Sequence, residues 1–189
     1  MKYDKNYLRK KFLSQRKKKY LGPEKFKFDL IFNLVRKHFN KKKIIIGAYF
    51  PSNYEVNILT FIEKAAKKKF KISLPVVTSS ISMSFKPWIF KDPLKVSRFG
   101  ILEPKNNKKE TLPDIVMVPL VAFDKNLNRI GYGKGYYDRS LKKIKKTKNK
   151  TIFIGIAHSF QKCKNIPVNK HDIKLDYIFT EQGIISANK

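Results

Sequence analysis

Apolar and polar positions along this chain follow two different periods. Apolar residues recur at helical spacing in the segments 30–39, 58–66 and 137–144, which predicts amphipathic helices. Short apolar runs typical of buried strands occupy segments 44–50, 72–77, 83–90, 115–118, 152–157 and 177–180. Strands that alternate with helices of this length predict an α/β fold, a three-layer sandwich with a mainly parallel central sheet and helices on both faces.

Proline and glycine weaken two parts of this pattern. Pro75 disfavours a central position in the sheet for segment 72–77, and Pro87 interrupts segment 83–90. Segment 92–113 contains several prolines and a glycine among polar residues, so it is predicted to be a loop.

The length of 189 residues favours one domain, 1–189, and the 42% share of hydrophobic residues is typical of a chain that folds. Cys163 is the one cysteine, which excludes an intramolecular disulfide. The longest apolar run, 44–50, is far shorter than the roughly 20 residues that cross a bilayer. No apolar stretch follows the charged amino terminus, so we expect a cytoplasmic protein without a membrane partner.

The formal net charge of +29 raises nucleic acid as a partner. The excess is spread over the whole chain, however, and accompanies heavy use of Lys, Ile, Asn, Phe and Tyr, a mixture typical of A/T-rich codons. The sequence also lacks the signature motifs of common RNA-binding modules. A basic RNA-binding or ribosome-associated protein therefore remains the alternative, and no specific nucleic acid is expected.

A glycine-rich segment, 118–141, carries the most distinctive chemistry. Gly131, Gly133 and Gly135 alternate with Tyr132 and Lys134 just before a predicted helix, so we expect the backbone to adopt positive φ and turn its N–H groups toward an anion. Neither the magnesium-binding hydroxyl of a Walker A loop nor the third glycine of a dinucleotide fingerprint is present. The segment predicts a polyphosphate site, with a purely structural turn as the alternative.

Charged and aromatic residues near this loop favour the polyphosphate interpretation. Arg129 and Lys134 would neutralise phosphate oxygens, and Asp138 would hold the magnesium ion that bridges them. Tyr136 and Tyr137 point about 100° apart on a helix, so we expect Tyr136 in the cleft and Tyr137 in the core. The cleft is expected where segments 44–50 and 115–118 end, because ligands collect at the carboxyl ends of parallel strands.

Several motifs resemble one family over nearly the whole chain. They are Lys5-Asn6-Tyr7-Leu8-Arg9, the segment from Tyr49 to Glu55, Glu103-Pro104, the block 118–124 with 129–139, and His171-Asp172 followed by Asp176 and Thr180-Glu181. Their order is similar to that of the 5-formyltetrahydrofolate cyclo-ligases, also called 5,10-methenyltetrahydrofolate synthetases. Leu127 departs from the glycine usual in the family, and we expect Asn126 or Asn128 to form the turn there.

The resemblance implies ATP-dependent conversion of 5-formyltetrahydrofolate to 5,10-methenyltetrahydrofolate, with ADP and phosphate released. It implies ATP contacts at Lys5, Arg9, Arg129, Gly131, Gly133, Lys134, Gly135, Tyr136 and Tyr137. It implies folate contacts at Phe50, Glu55, Tyr132, Gly133, Lys134, Gly135 and Tyr136. Catalytic roles would belong to Arg129, Lys134 and Tyr136, and magnesium ligation to Asp138 and Asp172.

Plainer interpretations of these residues stay open at this stage. Lys5 and Arg9 fit solvated helix charges, Glu55 fits the first turn of a helix, and Asp172 fits a loop cap. A noncatalytic nucleotide-binding scaffold is a further alternative. The sequence suggests a monomer, and the many lysines would favour polyglutamylated folates.

Overall fold

The computed structural model of the protein describes residues 4–40, 43–105 and 109–187. Its α-helices are α1 (Lys5–Lys18), α2 (Asp29–His38), α3 (Leu59–Lys67) and α4 (Tyr136–Thr147), with short 3₁₀ helices at Pro23–Lys25 and Ser159–Gln161. Its strands are β1 (Ile45–Gly47), β2 (Lys71–Val77), β3 (Met83–Trp88), β4 (Leu94–Val96), β5 (Leu102–Pro104), β6 (Ile115–Pro119), β7 (Ala122–Phe123), β8 (Arg129–Ile130), β9 (Ile152–Ile156), β10 (Tyr177–Thr180) and β11 (Gly183–Ser186). None of the helices in these ranges has the length and apolar character needed to span a bilayer.

Seven strands form one sheet in the order β11-β10-β9-β6-β1-β2-β3. The five inner strands pair in parallel, whereas β3 and β11 pair antiparallel at the two edges. Strands β4 and β5 form a separate two-stranded sheet, and β7 and β8 form another. The prediction of a mainly parallel central sheet is confirmed.

Alternate residues of β6 face two different cores. Met117 packs in the cluster that contains Val35 of α2 and Phe61 of α3. Val118 packs in the cluster that contains Leu141 of α4. Because neighbouring strand residues point to opposite faces, α2 and α3 cover one face of the sheet and α4 covers the other. The predicted three-layer sandwich is confirmed.

The interior proline of β2 has a structural explanation. Ser73 of β2 accepts a hydrogen bond from Ala48 N, so odd-numbered residues of this strand direct their polar backbone groups toward β1. Strand β1 has already ended at Gly47 where Pro75 stands, so the missing N–H removes no hydrogen bond from the β1–β2 pairing. Two residues later, Val77 N donates to the buried carboxylate of Glu103 at 3.3 Å.

Segment 92–113 is not entirely a loop, so that prediction is wrong in part. Strands β4 and β5 pair within it, and Thr111 bridges to Phe85 of β3. Both strands have three residues, which is too short for a visible alternation of apolar and polar positions. Strands β7 and β8, of two residues each, were missed for the same reason. Strand β11 was also missed, and β1 and β3 are shorter than the predicted segments 44–50 and 83–90.

The turn at Leu127 also differs from expectation. Neither Asn126 nor Asn128 has a positive φ; Leu127 itself does, at 63°. Asp124 Oδ1 accepts the backbone N–H groups of Asn126 at 2.9 Å and Asn128 at 3.0 Å, which closes the turn. The Leu127 side chain is 1% exposed. Burial of this side chain offsets the steric cost of left-handed backbone, roughly 1–2 kcal/mol for a non-glycine residue.

Candidate active site

The segments that follow β1 and β6 meet at the carboxyl edge of the sheet. Strands β1 and β6 are neighbours, so their carboxyl ends lie side by side. The Tyr132 hydroxyl donates a hydrogen bond to Glu55 Oε1 at 2.8 Å, which joins the glycine-rich loop to the segment after β1. The predicted meeting of these two loops is confirmed.

Glu55 is a buried acceptor. Its side chain precedes α3 by four residues, so its interpretation as a residue of the first helical turn is wrong. Ser52 donates to Glu55 Oε2 from its backbone N at 2.9 Å and from its hydroxyl at 3.3 Å. Burial raises the pKa of Glu55, while the Ser52 hydrogen bonds and the charge of Arg16 oppose that rise.

Two of the three loop glycines need left-handed backbone. Gly133 has φ 97° and Gly135 has φ 68°, and Gly135 is the N-cap of α4. A Cβ atom at Gly135 would lie 2.6 Å from Arg139 Nη1. Gly131 does not have a positive φ, so the expectation of positive φ is wrong for this residue. A Cβ atom at Gly131 would meet no other atom within 4 Å. Gly135 therefore places the loop at the amino end of a 12-residue helix, as predicted.

Helix α1 places one cation on the glycine-rich loop and another on Asp172. Arg9 Nε donates to the Gly131 carbonyl at 2.8 Å, and Lys5 Nζ lies 2.5 Å from Asp172 Oδ2. Both side chains are partly buried, so the interpretation as merely solvated helix charges is wrong. Asp172 also accepts from Asn169 N at 2.7 Å, so it caps its own loop in addition to pairing with Lys5.

Arg129 is held inside the protein. Its guanidinium donates to Asp138 Oδ1 at 2.6 Å and to the carbonyl of Ile173, whose own N–H donates to the same Asp138 oxygen at 3.1 Å. Burial lowers the pKa of Arg129, and the charges of Asp138 and Asp172 oppose that change. Arg129 thus ties β8, α4 and the segment around Ile173 together.

Asp138 and Asp172 are the expected magnesium ligands. Two carboxylates suit a magnesium ion that takes its other ligands from phosphates and water. Each carboxylate already has a cationic partner, Arg129 for Asp138 and Lys5 for Asp172. Within the described ranges no cluster of three or more His, Cys, Asp or Glu side chains is suitable for a metal. The donor set therefore fits magnesium only together with phosphate oxygens from a nucleotide.

Tyr136 and Tyr137 point in different directions, as predicted. The Tyr136 hydroxyl donates to the Ser80 carbonyl at 2.9 Å, and its ring centroid lies 5.9 Å from that of Phe99. The Tyr137 hydroxyl is buried and has no hydrogen-bond partner among residues 4–40, 43–105 and 109–187. Burial raises the pKa of Tyr137, and the negative charge of Glu55 adds to the rise.

The remaining predicted residues lie at the same edge of the sheet. Phe50 is half-buried directly after the buried Tyr49, and Lys134 is exposed between the two left-handed glycines. No hydrogen bond or aromatic ring contact joins Phe50 to the glycine-rich loop in the described part of the chain. The structure thus brings Arg9 and Glu55 to this loop by direct hydrogen bonds, places Lys5 on Asp172, and leaves Phe50 without such a bond.

Sequence reasoning missed Arg16. This α1 residue is 1% exposed and donates to the Tyr132 hydroxyl at 2.5 Å. An arginine on a lysine-rich helix is usually solvated, so Arg16 was not expected in the interior. Leu8, Phe12 and Arg16 are nevertheless spaced four residues apart and share one helix face, which is the signal that identifies Arg16 as buried.

A cavity of about 650 Å³ lies away from this site. Its lining includes His38, Asp114, Lys148 and Lys150, which precede β1, β6 and β9 at the amino edge of the sheet. Lys148 pairs with Asp114 at 2.7 Å, and Lys150 donates to the His38 carbonyl at 2.5 Å. These cations serve the protein itself, so the candidate site is the glycine-rich loop with Glu55 and not this cavity.

The arrangement has two chemically different halves. Backbone N–H groups, Lys134 and the amino end of α4 favour an anion, whereas the carboxylate of Glu55 is suited to a ligand that donates N–H groups. Tyr132 joins the two halves. A ligand pair composed of a polyphosphate and a ring rich in N–H donors matches this chemistry.

Comparisons with known proteins agree with these features. The profile of the 5-formyltetrahydrofolate cyclo-ligase family matches residues 1–181. A 5-formyltetrahydrofolate cyclo-ligase of Haemophilus influenzae is 34% identical over 137 residues, 69% of this chain and 72% of the relative. One from Mycoplasma pneumoniae is 31% identical over 186 residues, 95% of this chain and 99% of the relative. The NMR structure of Aquifex aeolicus 5,10-methenyltetrahydrofolate synthetase superposes with a TM-score of 0.76 at 31% identity, covering 98% of this chain and 93% of that one. The chain therefore belongs to the 5-formyltetrahydrofolate cyclo-ligase family.

Proposed function

We propose that the protein converts 5-formyltetrahydrofolate to 5,10-methenyltetrahydrofolate at the expense of ATP, with release of ADP and phosphate. Membership of the family supports the reaction. The hydrogen bond between Tyr132 and Glu55 is the observation that carries the proposal onto this chain. This bond joins a loop suited to phosphate directly to a buried carboxylate suited to the N–H groups of a pterin. The two halves of the site are therefore separated only by the Tyr132 hydroxyl.

The chemistry explains why a nucleotide is needed. The N5 formyl group is amide-like, and its oxygen is a poor leaving group when N10 attacks the formyl carbon. Attack of that oxygen on the γ-phosphorus releases ADP and turns the oxygen into part of a phosphate leaving group. N10 then closes the ring and phosphate departs. The protein contributes by positioning the two substrates and by stabilising the charge that develops on phosphate.

The nucleotide half of the site is assigned to α1 and the glycine-rich loop. Lys5, Arg9 and Lys134 supply positive charge, and the amino end of α4 supplies backbone dipoles. Arg129 acts as an internal brace whose charge reaches the site, in keeping with its burial and its bond to Asp138. Asp138 and Asp172 would hold magnesium, which would neutralise charge on the nucleotide phosphates.

The folate half is assigned to Glu55, Phe50 and Tyr136. Glu55 would accept hydrogen bonds from the pterin, and the two aromatic rings would contact its flat faces. The excess of lysines would favour folates with a polyglutamate tail. We further propose a cytoplasmic monomer with a single domain and no specific nucleic-acid partner.

The direct test mixes purified protein with magnesium, ATP and 5-formyltetrahydrofolate and follows the near-ultraviolet absorbance of the methenyl product. Product should form only when ATP is present. Glu55→Gln should raise KM for the folate far more than KM for ATP. Glu110→Gln is the matched control, because Glu110 is an exposed carboxylate paired with Lys143. Failure of the wild-type protein to form product, with both substrates shown to be intact, would refute the proposal.

A further inference from the structure

A buried arginine lies behind the site. Arg16 is 1% exposed and belongs to the face of α1 that packs Leu8 and Phe12 into the protein. Its Nη1 donates to the Leu120 carbonyl at 3.4 Å, and its Nε is buried without a hydrogen-bond partner in the described part of the chain. No carboxylate lies within ion-pair distance of Arg16 among residues 4–40, 43–105 and 109–187. A buried cation with no direct counter-ion is costly, which calls for an explanation.

The Tyr132 hydroxyl lies between Arg16 and the carboxylate linked to it, that of Glu55. Arg16 Nη2 donates to the Tyr132 hydroxyl at 2.5 Å, and that hydroxyl donates to Glu55 Oε1 at 2.8 Å. The guanidinium carbon also lies 5.4 Å from the centroid of the Tyr132 ring. Tyr132 exposes 41% of its surface, yet its hydroxyl end is enclosed by these two partners. The three side chains form a buried cation–hydroxyl–carboxylate chain.

The direction of the hydrogen bonds in this chain is fixed by Arg16. A guanidinium has donors and no acceptor, so the Tyr132 hydroxyl must use its own proton toward Glu55. Ser52 donates two further protons to the other oxygen of Glu55. An ionised carboxylate, which only accepts, satisfies all of these donors, whereas a protonated one would place its own proton among them.

We infer that Arg16 is a positioning residue of the proposed cyclo-ligase, which holds Tyr132 so that Glu55 remains an ionised acceptor for the N–H groups of the folate ring. The inference rests on the proposed function for the identity of the ligand. It assigns a role to a side chain that touches neither proposed substrate. The role explains why a charged residue occupies the inner face of α1.

Other groups around Glu55 act in the opposite sense. Burial is the largest influence and raises the pKa of Glu55. Tyr49, which follows β1, and Tyr137, on α4, also approach this carboxylate, and its charge raises the pKa of both phenols. The backbone hydrogen bond of Ser52 is the largest influence that lowers the pKa of Glu55, followed by the charge of Arg16 and then by the hydrogen bond of Tyr132. Loss of Arg16 therefore shifts the balance toward a protonated Glu55.

The experiment compares Arg16→Met and Tyr132→Phe with Lys17→Met. Lys17 is the matched control, because it is the next residue of α1 and is exposed, so the same charge is lost outside the chain of contacts. The dependence of kcat/KM for 5-formyltetrahydrofolate on pH is measured for each protein, together with KM for both substrates. Tyr132→Phe keeps the ring and removes only the bridging hydroxyl.

We expect the acidic limb of the profile to move to higher pH in Arg16→Met and Tyr132→Phe and to stay in place in Lys17→Met. At the pH optimum, KM for the folate should rise by about tenfold or more, in keeping with a buried charged hydrogen bond that is lost, while KM for ATP changes little. A merely structural role would lower the apparent activity at every pH alike. An unchanged limb and folate KM in both variants would overturn the inference.

Two provisions keep the result decisive. If Arg16→Met does not fold, the Tyr132→Phe variant alone decides. A wild-type pH profile in that variant would show that the contacts from Arg16 through Tyr132 to Glu55 do not control the ionisation of Glu55. The carboxyl ¹³C resonance of Glu55 is also titrated in wild-type and variant proteins, which requires no turnover. A wild-type protein without activity would refute the proposed function, whereas an unchanged Glu55 titration in an active protein would refute the role of Arg16.

Discussion

Arg129 and Lys134 should respond differently to replacement by alanine, although the sequence suggests similar roles for them. Both changes should lower kcat/KM by about tenfold or more, which corresponds to roughly 1.4 kcal/mol of transition-state stabilisation. Only Arg129→Ala should also lower the free energy of unfolding. The reason is that Arg129 is buried and bonded to Asp138 and Ile173, whereas Lys134 is exposed.

The size of the stability loss follows from the burial of the pair. The Arg129 side chain is 4% exposed and that of Asp138 is 30% exposed. Removal of one partner from a fully buried pair costs about 3–5 kcal/mol, and the partial access of water to Asp138 reduces this to about 2–3 kcal/mol. For a chain of this length the loss lowers Tm by roughly 5–10 °C. An exposed substitution such as Lys134→Ala should change stability by about 0.5 kcal/mol or less.

Thermal unfolding and urea titration of the two variants, with steady-state kinetics on the same preparations, test this contrast. Asp138→Asn and the Arg129→Ala/Asp138→Asn double variant complete a double-mutant cycle. The two single changes should be less than additive, because each already disrupts the same pair. Equal melting temperatures for Arg129→Ala and the wild type would show that Arg129 is not a brace and would refute this reasoning.

Four further substitutions test the loop, the turn and the sheet. Gly135→Ala places alanine at φ 68°, so it should lower the free energy of unfolding by about 1–2 kcal/mol and clearly reduce activity. Gly131→Ala should stay within about 0.5 kcal/mol of the wild type when both variants are measured by urea titration. Equal effects of the two substitutions would contradict the backbone conformations assigned to these glycines. Leu127→Gly relieves left-handed strain but removes a buried leucine, so we expect a net loss of about 1–3 kcal/mol, and a gain in stability would show that strain outweighs packing. Burial raises the pKa of Asp176 above its unfolded value of 3.8, so its contribution to stability is present below that value and is lost as pH rises through the folded pKa. Asp176→Asn keeps an acceptor for Phe153 N but has no charge to bury. Its free energy of unfolding, measured by urea titration, should therefore rise relative to that of the wild type from about pH 4 to about pH 7. The same difference between the two proteins at both pH values would rule out the raised pKa of Asp176.

The layers of the fold were predictable because they depend on long periodic segments. Helices α2, α3 and α4 each bury a stripe of apolar residues, and the inner strands are continuous apolar runs. Elements of two or three residues, such as β4, β5, β7 and β8, carry too few positions for a period to show. Their pairing depends on contacts with distant segments, which spacing along the chain does not reveal.

The site was predictable to the extent that its chemistry is local. The glycine-rich loop, the helix that follows it and the different directions of Tyr136 and Tyr137 all follow from short-range spacing. The contact of Arg16 with Leu120 spans more than 100 residues, and that of Arg129 with Ile173 spans more than 40, so both depend on tertiary structure. Leu127 shows the same limit, since burial of its side chain overrides the local preference for asparagine or glycine.

The guanidinium groups around the glycine-rich loop have a practical consequence for chemical modification. The sequence contains six arginines among its 43 Lys and Arg residues, and four of the six each donate to two acceptors near this loop: Arg9, Arg16, Arg129 and Arg139. Reductive methylation of the abundant surface lysines leaves their charge in place. Dicarbonyl reagents instead modify the guanidinium group, whose planar arrangement of N–H donors bridges two acceptors. The ammonium group of lysine does not reproduce this arrangement. Methylated protein should thus keep these contacts, whereas labelling of Arg9 or Arg139, the two that are not buried, would remove hydrogen bonds to the loop.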